Sequence, residues 1–343
     1  MKLNEARTIL VTFLMQLGDL VLTTPFLSAL RKSAPNAKIT YLVDEKWYDI
    51  VSCNPDIDKV LTIDRKGRDN SFAALWRYSR KLREQDFDFL INLNPSERCS
   101  FLAAFSGAKC KTGAVHRLFS LRFDKALNLD RTMHAADMYV DVLRQIGAEN
   151  LSHDGLKIIP PQKGIEEAER FFADFADDRF IGFNIGSASE TKRWMPERFA
   201  EVADHVAEKG FVPVFFGSVA EKAEVEETVG KMKKQAVIAT GAFSIGALPA
   251  AIKKMSIFIT NDSGPMHVAI SQKVPVVALY GPSKTELYGP YMANALVVRA
   301  EPPCDRCSDR MKHRCKDMSC MRNITVAQVN KAVDSMIAGR ETP

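Results

Sequence analysis

A short polar segment between two apolar runs combines several groups that can bind an anion. The segment is Asn261–His267, and it includes Asp262, Ser263, Gly264 and His267. The apolar run before it predicts a buried parallel strand, and the proline within it suits the first turn of a helix. Such a turn lies at the carboxyl end of its strand, where open α/β sheets bind ligands, and helix N-termini attract anions. The segment therefore predicts a binding site for a negatively charged ligand.

The same residues also have a purely structural interpretation. Asp262 and Ser263 could only cap the helix, and His267 could be a buried histidine with internal hydrogen bonds. A helix needs one cap, however, and this segment supplies two. The redundancy favours the binding-site hypothesis.

A second polar segment with anion-binding groups follows the apolar run Phe180–Ile185. It begins with Gly186 and Ser187 and contains Lys192, and Pro196 then starts a predicted helix. Amides, hydroxyl groups and an ammonium group can together bind a diphosphate, with Ser187 and Lys192 as the contacts. The alternative is an ordinary polar loop with a solvated lysine. Two such segments in one domain favour the diphosphate site.

Glu221 is a third candidate at the same edge, because it closely follows the predicted strand Val212–Phe216. Its carboxylate could accept hydrogen bonds from ribose hydroxyls. A first-turn acid of the next helix is the favoured interpretation, since carboxylates stabilise helix N-termini.

Near the start of the chain, Gly18 and Asp19 follow the predicted strand Thr8–Phe13. Glycine lets the backbone approach a ligand, and a carboxylate at a strand–helix junction is a candidate general base. Asp19 could instead be a helix cap. The two roles are compatible, because a helix N-terminus keeps a carboxylate ionised.

A stretch of the first half is basic: from Glu97 to Phe123 the only acidic residue is Glu97 itself. The basic residues of this stretch are Arg98, Lys109, Lys111, Arg117 and Arg122. Such a surface would suit an anionic acceptor, such as a phosphorylated or carboxylated glycolipid. Arg98, Lys111 and Arg117, together with Gly18, are the acceptor-binding candidates. For any one of these side chains, solvation without function is the favoured interpretation.

Four cysteines near the C-terminus have the spacing C-x2-C-x7-C-x4-C, namely Cys304, Cys307, Cys315 and Cys320. Their number and clustering fit a tetrahedral structural zinc, and disulfides are the alternative. The wide spacing of the second pair argues against zinc. We therefore keep the structural zinc as a hypothesis only.

Composition bounds the class of protein. The chain has 343 residues, more than one hydrophobic core usually supports, so two domains are expected. The net charge of +5 is small, and we expect no nucleic-acid partner. No strand is followed by G-x-G-x-x-G or a P-loop motif, which disfavours a dinucleotide oxidoreductase and an NTPase. The apolar run Ile9–Met15 lacks the features of a cleaved signal peptide, so we expect a cytoplasmic protein.

Strand and helix patterns alternate along the chain, which predicts parallel sheets with helical crossovers. The expected strands are Thr8–Phe13, Lys38–Val43, Val60–Ile63, Phe87–Leu93, Phe180–Ile185, Val212–Phe216, Ala236–Ala239, Ile257–Thr260 and the run Val276–Pro282. The expected helices are Leu20–Lys32, Ser71–Glu84, His134–Ile146, Pro196–Lys209, Ala220–Lys233 and one that carries Leu248, Ala251, Ile252 and Met255 on one face. Pro160-Pro161 interrupts this alternation and predicts a linker between two doubly wound domains with a cleft between them.

On these residues the chain resembles the lipopolysaccharide heptosyltransferases, the group of glycosyltransferase family 9 that uses ADP-heptose. The resemblance rests on three motifs and a late cysteine-containing stretch. These are Gly18-Asp19 with Pro25, Gly186–Lys192 with Trp194-Met195-Pro196, Asn261–His267 with Gly281-Pro282, and the stretch ending Cys320-Met321.

The resemblance implies a GT-B fold, in which two Rossmann-like domains face each other across a cleft. Residues 1–161 would bind the acceptor, residues 162–322 would bind the nucleotide sugar, and residues 323–343 would form a helix that packs back on the first domain. It implies an inverting transfer of heptose from ADP-heptose to a lipid-linked inner-core acceptor of lipopolysaccharide. No cofactor or catalytic metal would be required, and the lipid-linked acceptor suggests peripheral contact with the inner membrane.

The resemblance also assigns roles to the candidate residues. Asp19 would be the general base, and Ser187 and Lys192 would bind the diphosphate. The rest of the donor site would consist of Asp262, Ser263, Gly264 and His267. Ala188 departs from the family, because a second hydroxyl residue is common at that position.

Three other functions remain open at this point. A transferase of the same fold could use a different nucleotide sugar, and a nucleotide-sugar epimerase would act on the donor without an acceptor. A two-domain sugar-binding protein would share the architecture without catalysis. The preference of the protein among nucleotides would discriminate these functions.

Overall fold

The computed structural model describes residues 2–175, 179–302, 304 and 315–341. It divides into two compact units, Met1–Ile159 and Pro160–Pro343. The predicted linker at Pro160-Pro161 coincides with this division. Among the described residues, no helix has both the length and the apolar character that crossing a membrane requires.

The first unit is a six-stranded parallel sheet with the strand order β3-β2-β1-β4-β5-β6. The strands are β1 (Thr8–Thr12), β2 (Lys38–Asp44), β3 (Lys59–Ile63), β4 (Phe89–Asn92), β5 (Cys110–Gly113) and β6 (Lys125–Ala126). The helices are α1 (Leu17–Leu22), α2 (Thr24–Ser33), α3 (Tyr48–Val51), α4 (Phe72–Arg83), α5 (Glu97–Ala104) and α6 (Ala135–Gln145). Strand order reverses between β1 and β4, which is where doubly wound sheets bind ligands.

The predicted helix Leu20–Lys32 is two helices, α1 and α2, that meet at Thr23. Two hydroxyl groups favour this break: Thr23 donates to the carbonyl of Leu20, and Thr24 donates to the carbonyl of Val21, each at 2.7 Å. Pro25 then lies in the first turn of α2, where its missing N–H costs nothing. The break confines Gly18 and Asp19 to a single short helix.

The second unit repeats this design with the order β12-β11-β10-β7-β8-β9, again all parallel. Its strands are β7 (Phe180–Asn184), β8 (Val212–Phe216), β9 (Val237–Ile238), β10 (Met255–Asn261), β11 (Val276–Leu279) and β12 (Ala295–Val298). Its helices are α7 (Gln162–Phe171), α8 (Pro196–Glu208), α9 (Lys222–Gly230), α10 (Leu248–Lys253), α11 (Gly264–Ser271), α12 (Thr285–Tyr288), α13 (Ser319–Arg322) and α14 (Val326–Glu341). The reversal now lies between β7 and β10.

Two helix predictions in this unit need correction. Met255, assigned to a helical face, is the first residue of β10, and α10 ends at Lys253. The predicted helix Ala220–Lys233 begins as a 3-10 turn, Val219–Glu221, and α9 ends at Gly230. The sequence patterns also missed the strands β5, β6 and β12. These are short or lie at sheet edges, where strand residues do not form a continuous apolar run.

The C-terminal helix α14 contributes to the hydrophobic core of the second unit, and its expected packing against the first domain stays a prediction. Its side chains Val329, Val333 and Met336 are buried in the hydrophobic core of the second unit. Their spacing of four and three residues forms an apolar stripe on one face of the helix. Asp334 lies beside it and pairs with His205 of α8 at 2.9 Å. The apolar stripe of α14 therefore packs in the core of the second unit, while its Asp334 carboxylate contacts His205 of α8.

Asp88 links the amino ends of neighbouring strands in the first unit. Its carboxylate accepts hydrogen bonds from the amides of Arg7 and Thr8 at 3.0 and 3.2 Å, and from Lys109 Nζ at 2.8 Å. Lys109 first, and then the two amides, lower the pKa of Asp88 to about 2. The ionised carboxylate therefore stabilises the fold.

We expect Asp88→Asn to lower the free energy of unfolding by about 1–3 kcal/mol at neutral pH, because charge-assisted hydrogen bonds are lost. A carboxylate with a depressed pKa contributes stability above its unfolded pKa of about 3.9 and loses it as the pH falls towards the folded value. Urea unfolding of wild type and variant between pH 7 and pH 2 should show the difference shrinking below about pH 4. Asp86→Asn, which changes an exposed carboxylate beside the same lysine, is the control. An equal loss of stability in both variants would contradict the role of Asp88.

Candidate functional site

Three loops of the second unit follow the adjacent strands β8, β7 and β10 at their carboxyl ends. The loop after β7 contains Gly186 to Lys192, the loop after β10 contains Asp262 and Ser263, and the loop after β8 leads to Glu221. The sequence predicted these residues as separate motifs. The strand order makes the three loops neighbours at the point where that order reverses, between β10 and β7. Ligands are expected at this point in such sheets.

A buried polar network fixes the loop after β7 to the loop after β10. The side-chain amide of Asn184 donates through Nδ2 to the carbonyl of Gly186 at 3.0 Å and to Ser263 Oγ at 3.2 Å. Ser263 Oγ also lies 3.0 Å from Thr260 Oγ1. Hydrogen bonds of this kind in a buried setting hold a unique geometry, because a lost partner would leave a buried polar group unsatisfied.

Asn261 and Ser187 add further links between the same two loops. Asn261 Nδ2 donates to the carbonyl of Ile185 at 2.6 Å, and its Oδ1 accepts the amide of Trp194 at 3.1 Å. The hydroxyl of Ser187 donates to the carbonyl of Asp262 at 3.0 Å. Both loops are therefore held in fixed positions by bonds within the protein.

Lys192 and Asp262 form an ion pair across the two loops, with Nζ 2.7 Å from Oδ2. The carboxylate is almost fully buried and the ammonium about one quarter exposed, at 8% and 26% of side-chain surface. Burial, and next the charge of Asp262, raise the pKa of the Tyr280 phenol. An ammonium group has three donor protons, so Lys192 can donate to Asp262 and to a ligand at once.

Helix α11 begins beside this ion pair. Ser263 stands at its N-cap position, but its hydroxyl bonds to Thr260 and Asn184 instead of to the first amides of the helix. Ser263 therefore occupies the predicted N-cap position, but its side chain makes no capping hydrogen bond. Gly264 is the first residue of α11, and His267 lies buried one turn further along. An anion placed here would meet the helix N-terminus and the ammonium of Lys192.

Glu221 reaches from the third loop to the backbone of Gly186. Its Oε2 accepts hydrogen bonds from the amide and the hydroxyl of Ser218, at 2.7 and 2.8 Å. A Cβ on Gly186 would lie 1.7 Å from Glu221 Oε1, so only glycine allows this approach. Glu221 is thus a helix-start acid, as favoured from the sequence, and it also lies against the backbone of the loop after β7.

In the first unit, Gly18 and Asp19 lie in the first turn of α1, after β1, and both are partly exposed. The loop before them is held by two side chains, one that follows β2 and one that follows β3. Arg65 Nη1 donates to the carbonyl of Leu14 at 2.8 Å, and Trp47 Nε1 donates to the carbonyl of Met15 at 3.0 Å. Asp19 is therefore a carboxylate on a fixed strand–helix junction. It lies where the strand order of its own unit reverses, between β1 and β4.

A family model described as "Glycosyltransferase family 9 (heptosyltransferase)" matches residues 75–316, more than half of the chain. The chain belongs to glycosyltransferase family 9. It is an enzyme of the heptosyltransferase type, as predicted.

Individual relatives agree with this assignment. The solved structure of the glycosyl transferase family 9 protein from Veillonella parvula is 42% identical and superposes with a TM-score of 0.92, covering 99% of this chain and 98% of that one. Lipopolysaccharide heptosyltransferase 3 of Escherichia coli (strain K12) is 25% identical over 81% of this chain and 84% of its own length. The E. coli ADP-heptose LPS heptosyltransferase II structure shares the fold, with a TM-score of 0.81 at 20% identity, over 98% of this chain and all of that one. The predicted α/β class with two doubly wound, Rossmann-like domains is confirmed.

The acceptor-binding candidates of this family 9 glycosyltransferase lie on different elements. Arg98, in α5, donates to the carbonyls of Arg65 and Asp69, each at 3.2 Å, and so holds a neighbouring loop in place. Lys111, in β5, donates to the carbonyl of Ala108 at 2.7 Å. Arg117 is exposed at the start of a 3-10 helix. Arg98 and Lys111 therefore have structural contacts, and their acceptor role stays a prediction.

Sequence reasoning missed the side chains that position the loops after β7 and β10 in this glycosyltransferase. Asn184 and Asn261 are buried amides, and Arg193 donates twice to the carbonyl of Ser187, at 3.1 and 3.0 Å. A usable signal was present, since each Asn is a polar residue at the end of an otherwise apolar strand. A buried amide at that position has to find hydrogen-bond partners in the adjoining loops.

The structural-zinc hypothesis for this family 9 enzyme concerns four cysteines, and the structure describes three of them. Cys307 lies outside the described residues, whereas Cys304, Cys315 and Cys320 are described and none of the three forms a disulfide there. Among the described residues, no group of three or more His, Cys, Asp or Glu side chains is arranged to hold a metal ion. Cys320 instead lies against Gly281, where an added Cβ would be 3.1 Å from its sulfur.

The Lys192–Asp262 pair predicts a coupled loss of stability. We expect Lys192→Met to lower the free energy of unfolding by about 1–3 kcal/mol, because it leaves a buried carboxylate without its countercharge. The double variant with Asp262→Asn should lose less than the sum of the single variants, by about 0.5–3 kcal/mol. Urea unfolding of the four proteins measures this coupling. Lys254→Met, at an exposed lysine of the same unit, is the control. Additive losses would mean that the two side chains do not interact.

Proposed function

We propose that this family 9 glycosyltransferase transfers a heptose from ADP-heptose to an inner-core acceptor of lipopolysaccharide, with inversion and without a catalytic metal. The observation that carries the proposal is the set of fixed loops around the Lys192–Asp262 pair at the start of α11. These loops combine a helix N-terminus and an ammonium group at the point where the strand order reverses. That combination suits a diphosphate. The names of relatives point to heptose and to ADP-heptose as the donor.

In the proposed reaction, an acceptor hydroxyl attacks the anomeric carbon from the face opposite the nucleotide. The bond from the anomeric carbon to the β-phosphate oxygen of ADP breaks, which inverts the configuration. The hydroxyl proton passes to Asp19, and the negative charge passes to the leaving ADP. Lys192 and the amides at the start of α11 stabilise this charge, so no divalent ion is needed.

The donor roles follow from the same geometry. Lys192 binds the diphosphate while Asp262 holds its ammonium in place. Ser187 and Ser263 keep the loops in register, and Gly264 lets the helix amides approach the ligand. His267, one turn into α11, completes the donor site. Glu221, beside Gly186, is the candidate ribose contact through the carboxylate oxygen that Ser218 does not occupy.

Nucleotide preference tests the donor half of the proposal. Thermal unfolding should shift upwards with ADP and much less with UDP, GDP or CMP at equal concentration. A ligand present at about 100 times its Kd adds about 2.7 kcal/mol of stability, which is readily measured. Lys192→Met should abolish the ADP shift, and Lys254→Met should preserve it. A preference for UDP or GDP would replace the nucleotide in the proposal, and no shift with any nucleotide would contradict the donor site.

Asp19→Asn tests the catalytic half. We expect the turnover number to fall about 10²–10⁴-fold, because a positioned base typically contributes that much. The ADP-induced thermal shift should remain, since Asp19 lies outside the donor loops. Transfer is measured from ADP-heptose to a heptose-free lipopolysaccharide core, with a chelator present throughout. Glu149→Gln, at an exposed carboxylate of the first unit, is the control.

Three results would count against this half of the proposal. Loss of the ADP shift in Asp19→Asn would place Asp19 in the donor site. Activity that appears only after Mg²⁺ is added would contradict metal independence. A product with the same anomeric configuration as the donor would contradict inversion.

A further inference from the structure

The first unit carries an aromatic cluster that extends from its hydrophobic core to its surface. The cluster consists of Phe72, Trp76, Phe101, Phe105 and Phe119. Phe101 is buried in the core, whereas Phe72 is 65% exposed and Trp76 is 36% exposed. Ring centroids 4.7 to 5.4 Å apart join the exposed rings of Phe72 and Trp76 to Phe101 and Phe105. The exposed rings are therefore held rigidly in place.

A 3-10 helix, Arg117–Arg122, adds two leucines to this surface. Side chains three residues apart align along one edge of a 3-10 helix. Phe119 and Arg122 form the edge that faces the aromatic cluster, where Phe119 packs on Phe101 and the Arg122 guanidinium lies 4.5 Å from the Phe105 ring centroid. Leu118 and Leu121 form another edge, and they are 65% and 101% exposed. Two leucines therefore project into solvent from an anchored turn.

The surroundings of these apolar side chains are basic. Neither α4 nor the segment from Arg98 to Arg122 contains an acidic residue. On α4, Arg80 lies four residues after Trp76, on the same helix face, and Arg83 donates to the carbonyl of Phe105 at 3.0 Å. Arg117 and Arg122 flank the two leucines. The charge of this surface thus complements an anionic partner.

The shape of this surface favours a lipid bilayer over a protein as that partner. The two leucines are exposed on a single 3-10 helix, and a protein would need a matching pocket for each of them. A bilayer accepts protruding apolar groups into its acyl region, while Trp and Arg lie at the level of the headgroups. Anionic headgroups attract nearby arginines.

We propose that the surface formed by Phe72, Trp76, Leu118 and Leu121, with its surrounding arginines, docks this protein on an anionic lipid bilayer. Leu118 and Leu121 enter the acyl region, and Arg117 and Arg122 contact the anionic headgroups. The proposal concerns a surface of the first unit and does not depend on which donor or acceptor the enzyme uses.

Co-sedimentation with vesicles tests the proposal without any transfer assay. We expect binding to phosphatidylcholine vesicles that contain phosphatidylglycerol, much weaker binding to phosphatidylcholine alone, and a decline with added salt. The double variant Leu118→Ser/Leu121→Ser should bind at least about tenfold more weakly, because two inserted side chains are lost. Met292→Ser removes a side chain of similar exposure, 64%, from the second unit and should bind like wild type.

The thermal unfolding of both variants should match wild type, because the altered side chains are exposed. Vesicle binding that survives the loss of both leucines would overturn the proposal, as would an equal loss in Met292→Ser. Absence of vesicle binding, combined with a concentration-dependent mass that Leu118→Ser/Leu121→Ser lowers, would assign the surface to self-association and also overturn it. The ADP shift of the double variant should be unchanged, which separates this outcome from a failure of the donor site.

Discussion

The reversal of strand order within each parallel sheet is the constraint on which the candidate sites depend. In the second unit the reversal makes β7 and β10 neighbours, although about 70 residues separate them in sequence, and it places their following loops side by side. The Lys192–Asp262 pair, 2.7 Å long, can form only because of that adjacency. In the first unit the same reversal lies between β1 and β4, and Asp19 follows β1. One topological rule therefore positions both the candidate anion-binding loops and the candidate base.

Buried asparagines turn this topology into fixed geometry in both units. Asn184 and Asn261 end their strands and bond to the adjoining loops, and Asn92 ends β4 in the same manner. Asn92 Oδ1 accepts the hydroxyl of Thr12 at 2.7 Å, and its Nδ2 donates to the carbonyl of Asn94 at 2.9 Å. A buried amide without partners costs about 1–3 kcal/mol, so each asparagine selects the loop conformation that satisfies it. The asparagines at the strand ends therefore hold the adjoining loops together with the contacts that the loops make to each other, such as Ser187 Oγ to the carbonyl of Asp262.

Charge is arranged differently in the two units. In the second unit a nearly buried carboxylate orients the ammonium group of Lys192, whose remaining donor protons can point in a defined direction. In the first unit the arginines are spread over an exposed surface that contains aromatic rings and two protruding leucines. A directed ammonium suits a small anion of fixed geometry. A dispersed set of arginines around apolar side chains suits an extended anionic surface.

The sequence by itself determined the class of fold and the position of the polar segments at the ends of their strands. Apolar strands that alternate with helices, and polar turns at their carboxyl ends, are local patterns, and local patterns can be read in order along the chain. It did not determine that Ser263 would bond to Asn184 instead of capping α11, or that α14 would pack with α8 of the second unit. Nor did it determine that Lys192 and Asp262 would pair, or that Leu121 would be fully exposed beside an aromatic cluster. Each of these depends on which distant elements become neighbours, and burial and hydrogen-bond partners are assigned only when the chain is packed.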